Sequence, residues 1–90
     1  MKVKMFNKEW EVNNPTYKEK RELQKLRMSA INTEGKVDNN KFYDCLDFVE
    51  KISGLSENDY IVKDKPLTMN EIDSLLSKLL TEFLDVSKKD

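Results

Sequence analysis

Residues 39–55, NNKFYDCLDFVEKISGL, carry the plainest structural signal in the chain. Phe42, Cys45, Leu46, Val49 and Ile52 follow at spacings of three, one, three and three. At about 3.6 residues per turn that puts all five on one face, so the spacing predicts a helix over about 39–53 with its stripe in a core. Asp38 or Asn39 caps its start. Ser53-Gly54-Leu55 ends it, with Gly at the left-handed position and Leu55 folding back as an apolar contact. Tyr43 points away from the stripe and Phe48 sits at its margin.

Upstream, Asn32 to Val37 contains Thr33-Glu34-Gly35 and reads as a turn. Before it, Thr16 and Glu19 form a capping box that starts a helix over about 16–31. This helix has two apolar sides. Leu23, Leu26 and Ala30 share one, while Tyr17, Met28 and Ile31, with Gln24 among them, cluster on another. One side meets the other helices; the second either receives the N-terminal segment or faces a partner.

That N-terminal segment alternates. Val3 and Met5, then Trp10 and Val12, stand between charged neighbours, which predicts a β-hairpin over about 2–13. A two-residue Asn7-Lys8 turn would pair Met5 with Trp10, Val3 with Val12 and Lys4 with Glu11; a three- or four-residue loop is the alternative. A two-stranded ribbon is marginal alone, so the Trp10 face must lie on something else.

Downstream, Ser56 and Asp59 cap one or two helical turns over about 56–61, and Val62 to Leu67 reads as a polar connector. Thr68 and Glu71 begin a helix over about 68–86. Ile72, Leu75, Leu76, Leu79, Leu80, Phe83, Leu84 and Val86 make it apolar over about half its circumference. The expected fold is mainly α (α+β), one domain over 1–90, with an N-terminal β-hairpin packed on a three- to four-helix bundle.

Composition limits the chemistry. The 90 residues carry 16 Lys plus Arg against 17 Asp plus Glu, a net charge of −1, and 24 of them are Leu, Ile, Val or Phe, enough for one thin core. There is no His and one Cys, so the commonest general base, an internal disulfide and a multi-thiolate zinc site are missing. Gly35 and Gly54 stand too far apart for a phosphate loop. Neither a run of ~18 apolar residues nor a charged leader is present, and the reading is a soluble cytosolic protein, not an enzyme.

Candidate functional residues are few. Cys45 lies on the core stripe and lacks an activating partner. Asp44 with Asp47, and Glu57 with Asp59, lack the dense alternating oxygen ligands of a calcium loop, so no catalytic, cofactor-binding or metal residues are assigned. Residues 1–45 carry net +3 and residues 46–90 net −4, a difference that suggests complementary charge in assembly, including head-to-tail association of copies. Lys18, Lys20, Arg21, Lys25 and Arg27 gather positive charge on the first helix, but Glu19 and Glu22 interrupt it and the pI near 5.5 disfavours nucleic acid. The broad arc of the last helix offers Leu80, Leu84 and Val86 either to the core or to a partner.

The order of these features has a precedent. A short ribbon leads into Asn14-Pro15-Thr16-Tyr17-Lys18-Glu19 and a charged helix. Then come a turn, the Phe42-x-x-Cys45-Leu46-x-Phe48-Val49 helix ending Ile52-Ser53-Gly54-Leu55-Ser56, an acidic insert and a leucine-rich helix. Over nearly its whole length the chain resembles the small tail assembly chaperones of long-tailed, siphovirus-type bacteriophages and related prophages. The resemblance implies a non-catalytic protein without cofactors. Such a protein works in the host bacterial cytoplasm, keeps the tape-measure protein soluble, helps recruit tail-tube subunits and is absent from the mature virion. It also implies a longer form made by ribosomal frameshifting, for which Lys88-Lys89 is compatible with an adenine-rich slippery stretch, or equally with a charged helix end. The expected protein-binding residues are Tyr17, Gln24, Met28, Ile31, Leu80 and Leu84. The alternative is a small helical phage or bacterial regulator that binds DNA through the first helix, or binds another protein.

Overall fold

A computed structural model describes residues 1–31 and 34–84. In chain order they form β1 (Lys2–Met5), β2 (Lys8–Glu11), α1 (Tyr17–Ser29), α2 (Asn39–Ser53), a 3₁₀ turn (Glu57–Tyr60), β3 (Ile61–Val62), β4 (Lys65–Pro66) and α3 (Met69–Leu84). The fold is therefore mixed, with an N-terminal hairpin, a second small hairpin and three α-helices among the described residues. The described residues give three helices, and a three- to four-helix bundle is not shown. Within 56–61 the expected helical turns are a single 3₁₀ turn, Glu57–Tyr60, and the chain after it, read as a polar connector, folds into β3 and β4. Lys63 and Asp64, at φ of 52° and 65°, supply a tight turn of the kind for which Gly is the usual marker, so its sequence signal is weak.

The first hairpin turns on Phe6-Asn7, both at positive φ, instead of Asn7-Lys8. Val3 pairs with Trp10, Lys2 with Glu11 and Lys4 with Glu9. This register sets two opposite-charge pairs across the outer face where the expected one set a single pair. It leaves each strand's alternation untouched, so Val3, Trp10 and Val12 are still buried together.

The helix ends follow local chemistry. Thr16 Oγ1 accepts the Glu19 N–H at 3.1 Å, and the Glu19 carboxylate accepts the Thr16 N–H at 2.8 Å. Thr68 and Glu71 repeat the exchange at 3.2 and 2.8 Å. The Asp38 carboxylate accepts the Lys41 N–H, and α2 stops at Gly54, whose φ of 84° suits a residue without Cβ. A single core joins all layers, with Leu23 of α1 and Ala30 at its C-cap, Cys45, Leu46, Val49 and Ile52 of α2, Leu75, Leu76, Leu79, Leu80 and Phe83 of α3, and the hairpin's Trp10. No described helix is long and apolar enough to cross a membrane.

Candidate functional site

The first hairpin docks on the 3₁₀ segment. Trp10 Nε1–H donates to the Asp59 carbonyl at 2.7 Å, and Lys8 Nζ donates to the carbonyls of Asp59 and Ile61 at 3.1 and 2.8 Å. The Asn13 N–H donates to the Ser53 carbonyl at 3.1 Å. These bonds lock the ribbon to the end of α2 and the chain that follows it. The second apolar side of α1 thus does not receive Trp10, which is the outcome the two-sided pattern left open. The reason is polar: the indole and ammonium donors find unpaired carbonyls where the chain changes direction after α2, and a helix surface has none to offer.

What remains on α1 is an exposed stripe. Tyr17, Arg21, Gln24, Met28 and Ile31 recur at spacings of four, three, four and three, opposite the inward-facing Leu23 and Ala30. Tyr17 is 71% exposed, Met28 62% and Ile31 44%, while Gln24 is half-buried. At about 1.5 Å per residue the stripe runs for about 20 Å. Arg21 sits over its aromatic end, with the guanidinium 5.7 Å from the Tyr17 ring centroid and an N–H donated to the Tyr17 hydroxyl at 3.2 Å. At the other end Ile31 bridges to Val37, which is 55% exposed and lengthens the apolar surface beyond the helix. Helical spacing puts Lys20 and Arg27 along one margin and Lys25 along the other, and turns Glu19 and Glu22 away from the stripe.

The structure divides the expected binding residues. Tyr17, Gln24, Met28 and Ile31 share one face. Leu80 is only 6% exposed and belongs to the core, and Leu84 is half-buried against it. The arc of α3 is wide because α3 packs on both other helices, which consumes its apolar width. Val86 and Lys88-Lys89 lie outside the described residues. Val37 was missed by the sequence reading, since a lone Val in a polar turn carries no periodic signal; only its bridge to Ile31 places it.

Of the titratable candidates, Cys45 and Asp59 serve the fold. Cys45 is fully buried, and burial, reinforced by the nearby Asp44 charge, pushes its thiol above the ordinary range. The Asp59 carboxylate accepts from the Ser56 N–H at 2.8 Å and from its hydroxyl at 3.2 Å, so it holds the 3₁₀ turn. Among the described residues no group of three or more His, Cys, Asp or Glu side chains is placed to hold a metal ion. Set against protein-family models, curated proteins and solved structures, the chain matches none.

Proposed function

We propose that this chain is a non-catalytic tail assembly chaperone of the long-tailed bacteriophage or prophage type. It holds the tape-measure protein soluble in the host bacterial cytoplasm, helps bring tail-tube subunits to it, and leaves before the virion is complete. The observation that carries the reading is the uncovered stripe of Tyr17, Met28, Ile31 and Val37 on a chain whose other large apolar side chains mostly pack inward.

Magnitudes favour a holding role. Covering the exposed side chains of the stripe yields at most roughly 1.5–3 kcal/mol gross for each. Association costs of roughly 4–15 kcal/mol offset most of that, so one contact is weak. A long client with repeated amphipathic segments gains grip from many such contacts and is released when they are lost one at a time.

Co-expression tests it. With the tape-measure protein of the phage or prophage that encodes this chain, soluble client rises and a complex is recovered; the Met28→Ser, Ile31→Ser double variant loses both. Unchanged client solubility together with no complex rejects the proposal. The regulator reading draws on the basic margins of α1. Salt-sensitive binding to duplex DNA, weakened by Lys20→Ala, Arg21→Ala and Lys25→Ala, would favour it instead.

A further inference from the structure

From the charges around the α1 stripe we infer the chemistry of its occupant: an amphipathic α-helix of a protein partner, apolar along one line and acidic on both margins. The inference rests on α1 as the client-binding face but not on the client being a tape-measure protein. A straight stripe about 20 Å long, built at alternating spacings of four and three, is the surface a second helix covers by side-by-side packing. Its apolar contacts are Tyr17 at one end and Met28 and Ile31 at the other, and Met suits a surface that must adapt to imperfectly repeated partners.

The rim is cationic on both sides. Lys20 and Arg27 flank one edge, Lys25 the other, and Arg21 stands within the stripe. On α1 itself Glu19 follows the inward-turned side and is bonded to the Thr16 cap, and helical spacing turns Glu22 away from the stripe; from a packed element, the acidic Glu82 of α3 shares a cleft with Lys20 at one margin. A partner with Lys margins would meet like charge on both sides, whereas Glu or Asp margins are matched without any rearrangement of Arg21, already held over Tyr17.

Other occupants fit less well. The wide apolar face of α1 is spent on the core through Leu23 and Ala30, and the outer stripe is interrupted by Arg21 and Gln24, which leaves too little apolar surface to enter a bilayer. A nucleic-acid site would have no use for exposed Met28 and Ile31. A second copy fits less well because the exposed charges on its α2 and α3 are mixed, Lys51 and Lys78 among Asp44, Asp47 and Glu82, with no apolar line between acidic margins.

Binding of labelled synthetic helices of about 18 residues, long enough to span the stripe, tests the inference. One carries a Leu stripe with Glu on both margins, a second the same stripe with Lys margins, and a third the Glu-margined composition in scrambled order. Fluorescence anisotropy should show saturable binding of the Glu-margined helix, at least tenfold tighter than the other two and several-fold weaker when NaCl is raised from about 50 to about 300 mM. Arg21→Glu with Lys25→Glu, and separately Met28→Ser with Ile31→Ser, should each weaken it at least tenfold while leaving the urea midpoint of the protein unchanged.

Equal binding of the Lys-margined helix overturns the inference, as does no binding of the Glu-margined one. So does binding that survives both double variants, or tighter capture by vesicles of anionic phospholipid or by duplex DNA. Self-association that the same variants abolish, with no peptide binding, assigns the stripe to a second copy and also overturns it. The two readings fail separately: peptide binding without tape-measure rescue rejects the chaperone role alone, and rescue without charge-selective peptide binding rejects this inference alone.

Discussion

The indole of Trp10 donates its Nε1–H to the backbone carbonyl of Asp59 at 2.7 Å, across 49 residues of chain. That bond, with Lys8 Nζ on the same carbonyl and on that of Ile61, makes the N-terminal hairpin part of the core and leaves the outer side of α1 bare. The fold and the candidate site therefore share one cause.

Trp10→Phe keeps an aromatic ring in place but removes the donor, and should lower stability by about 1–2 kcal/mol. Trp10→Ala should cost about 3–5 kcal/mol. Urea unfolding followed by far-UV circular dichroism measures both, and a Phe variant as stable as the parent would deny the bond its role.

Gly54 faces a double constraint: its φ is 84°, and a Cβ there would stand 2.9 Å from Asn13 Nδ2. Gly54→Ala should destabilise by about 1–2 kcal/mol from backbone strain and crowding. Adding Asn13→Ala frees the space but not the backbone, so the double variant should regain only part of the loss.

Tyr60 is buried and donates its hydroxyl to Glu50, and burial first, with the Glu50 carboxylate second, pushes its phenol far above the ordinary value. The folded state holds the proton more tightly than the unfolded chain, whose phenol titrates near pH 10. Stability from this group is thus intact below about pH 10 and falls as pH rises above it. Comparing urea midpoints between pH 8 and 11, the parent should lose more stability than Tyr60→Phe; equal slopes would remove Tyr60 as the cause.

Leu80 and Met28 offer a contrast of burial, 6% against 62% exposed. Leu80→Ala should cost about 2–5 kcal/mol. Met28→Ala should leave stability within about 0.5 kcal/mol while weakening client capture. Thermal unfolding of both variants, beside a pull-down with the client, separates core from contact surface.

In the second hairpin Lys63 and Asp64 both occupy left-handed backbone without glycine. Lys63→Asn with Asp64→Gly fits the same turn with less strain and should raise stability by about 1 kcal/mol. A lowered melting temperature would mean that the native side chains make contacts outweighing that relief.

Some of this was legible residue by residue. The Thr16–Glu19 and Thr68–Glu71 exchanges, the Asp38 cap and the Gly54 stop are short-range chemistry, complete within a few positions, and the stripe from Phe42 to Ile52 is a matter of spacing. Helix starts, helix ends and inward faces could be read because each depends on neighbours in the chain. Three other features could not. The register that pairs Val3 with Trp10 rests on charges matched across two strands and on a turn with Phe6 at positive φ. The burial of Leu80 depends on how α3 lies against the other helices. The bare stripe of Tyr17, Met28 and Ile31 depends on the hairpin just before it in the chain finding its carbonyl partner 49 residues away, at Asp59. Amino-acid order sets which surfaces are apolar; which of them stays uncovered follows from competition among distant segments for the same partners, and only the folded chain resolves that.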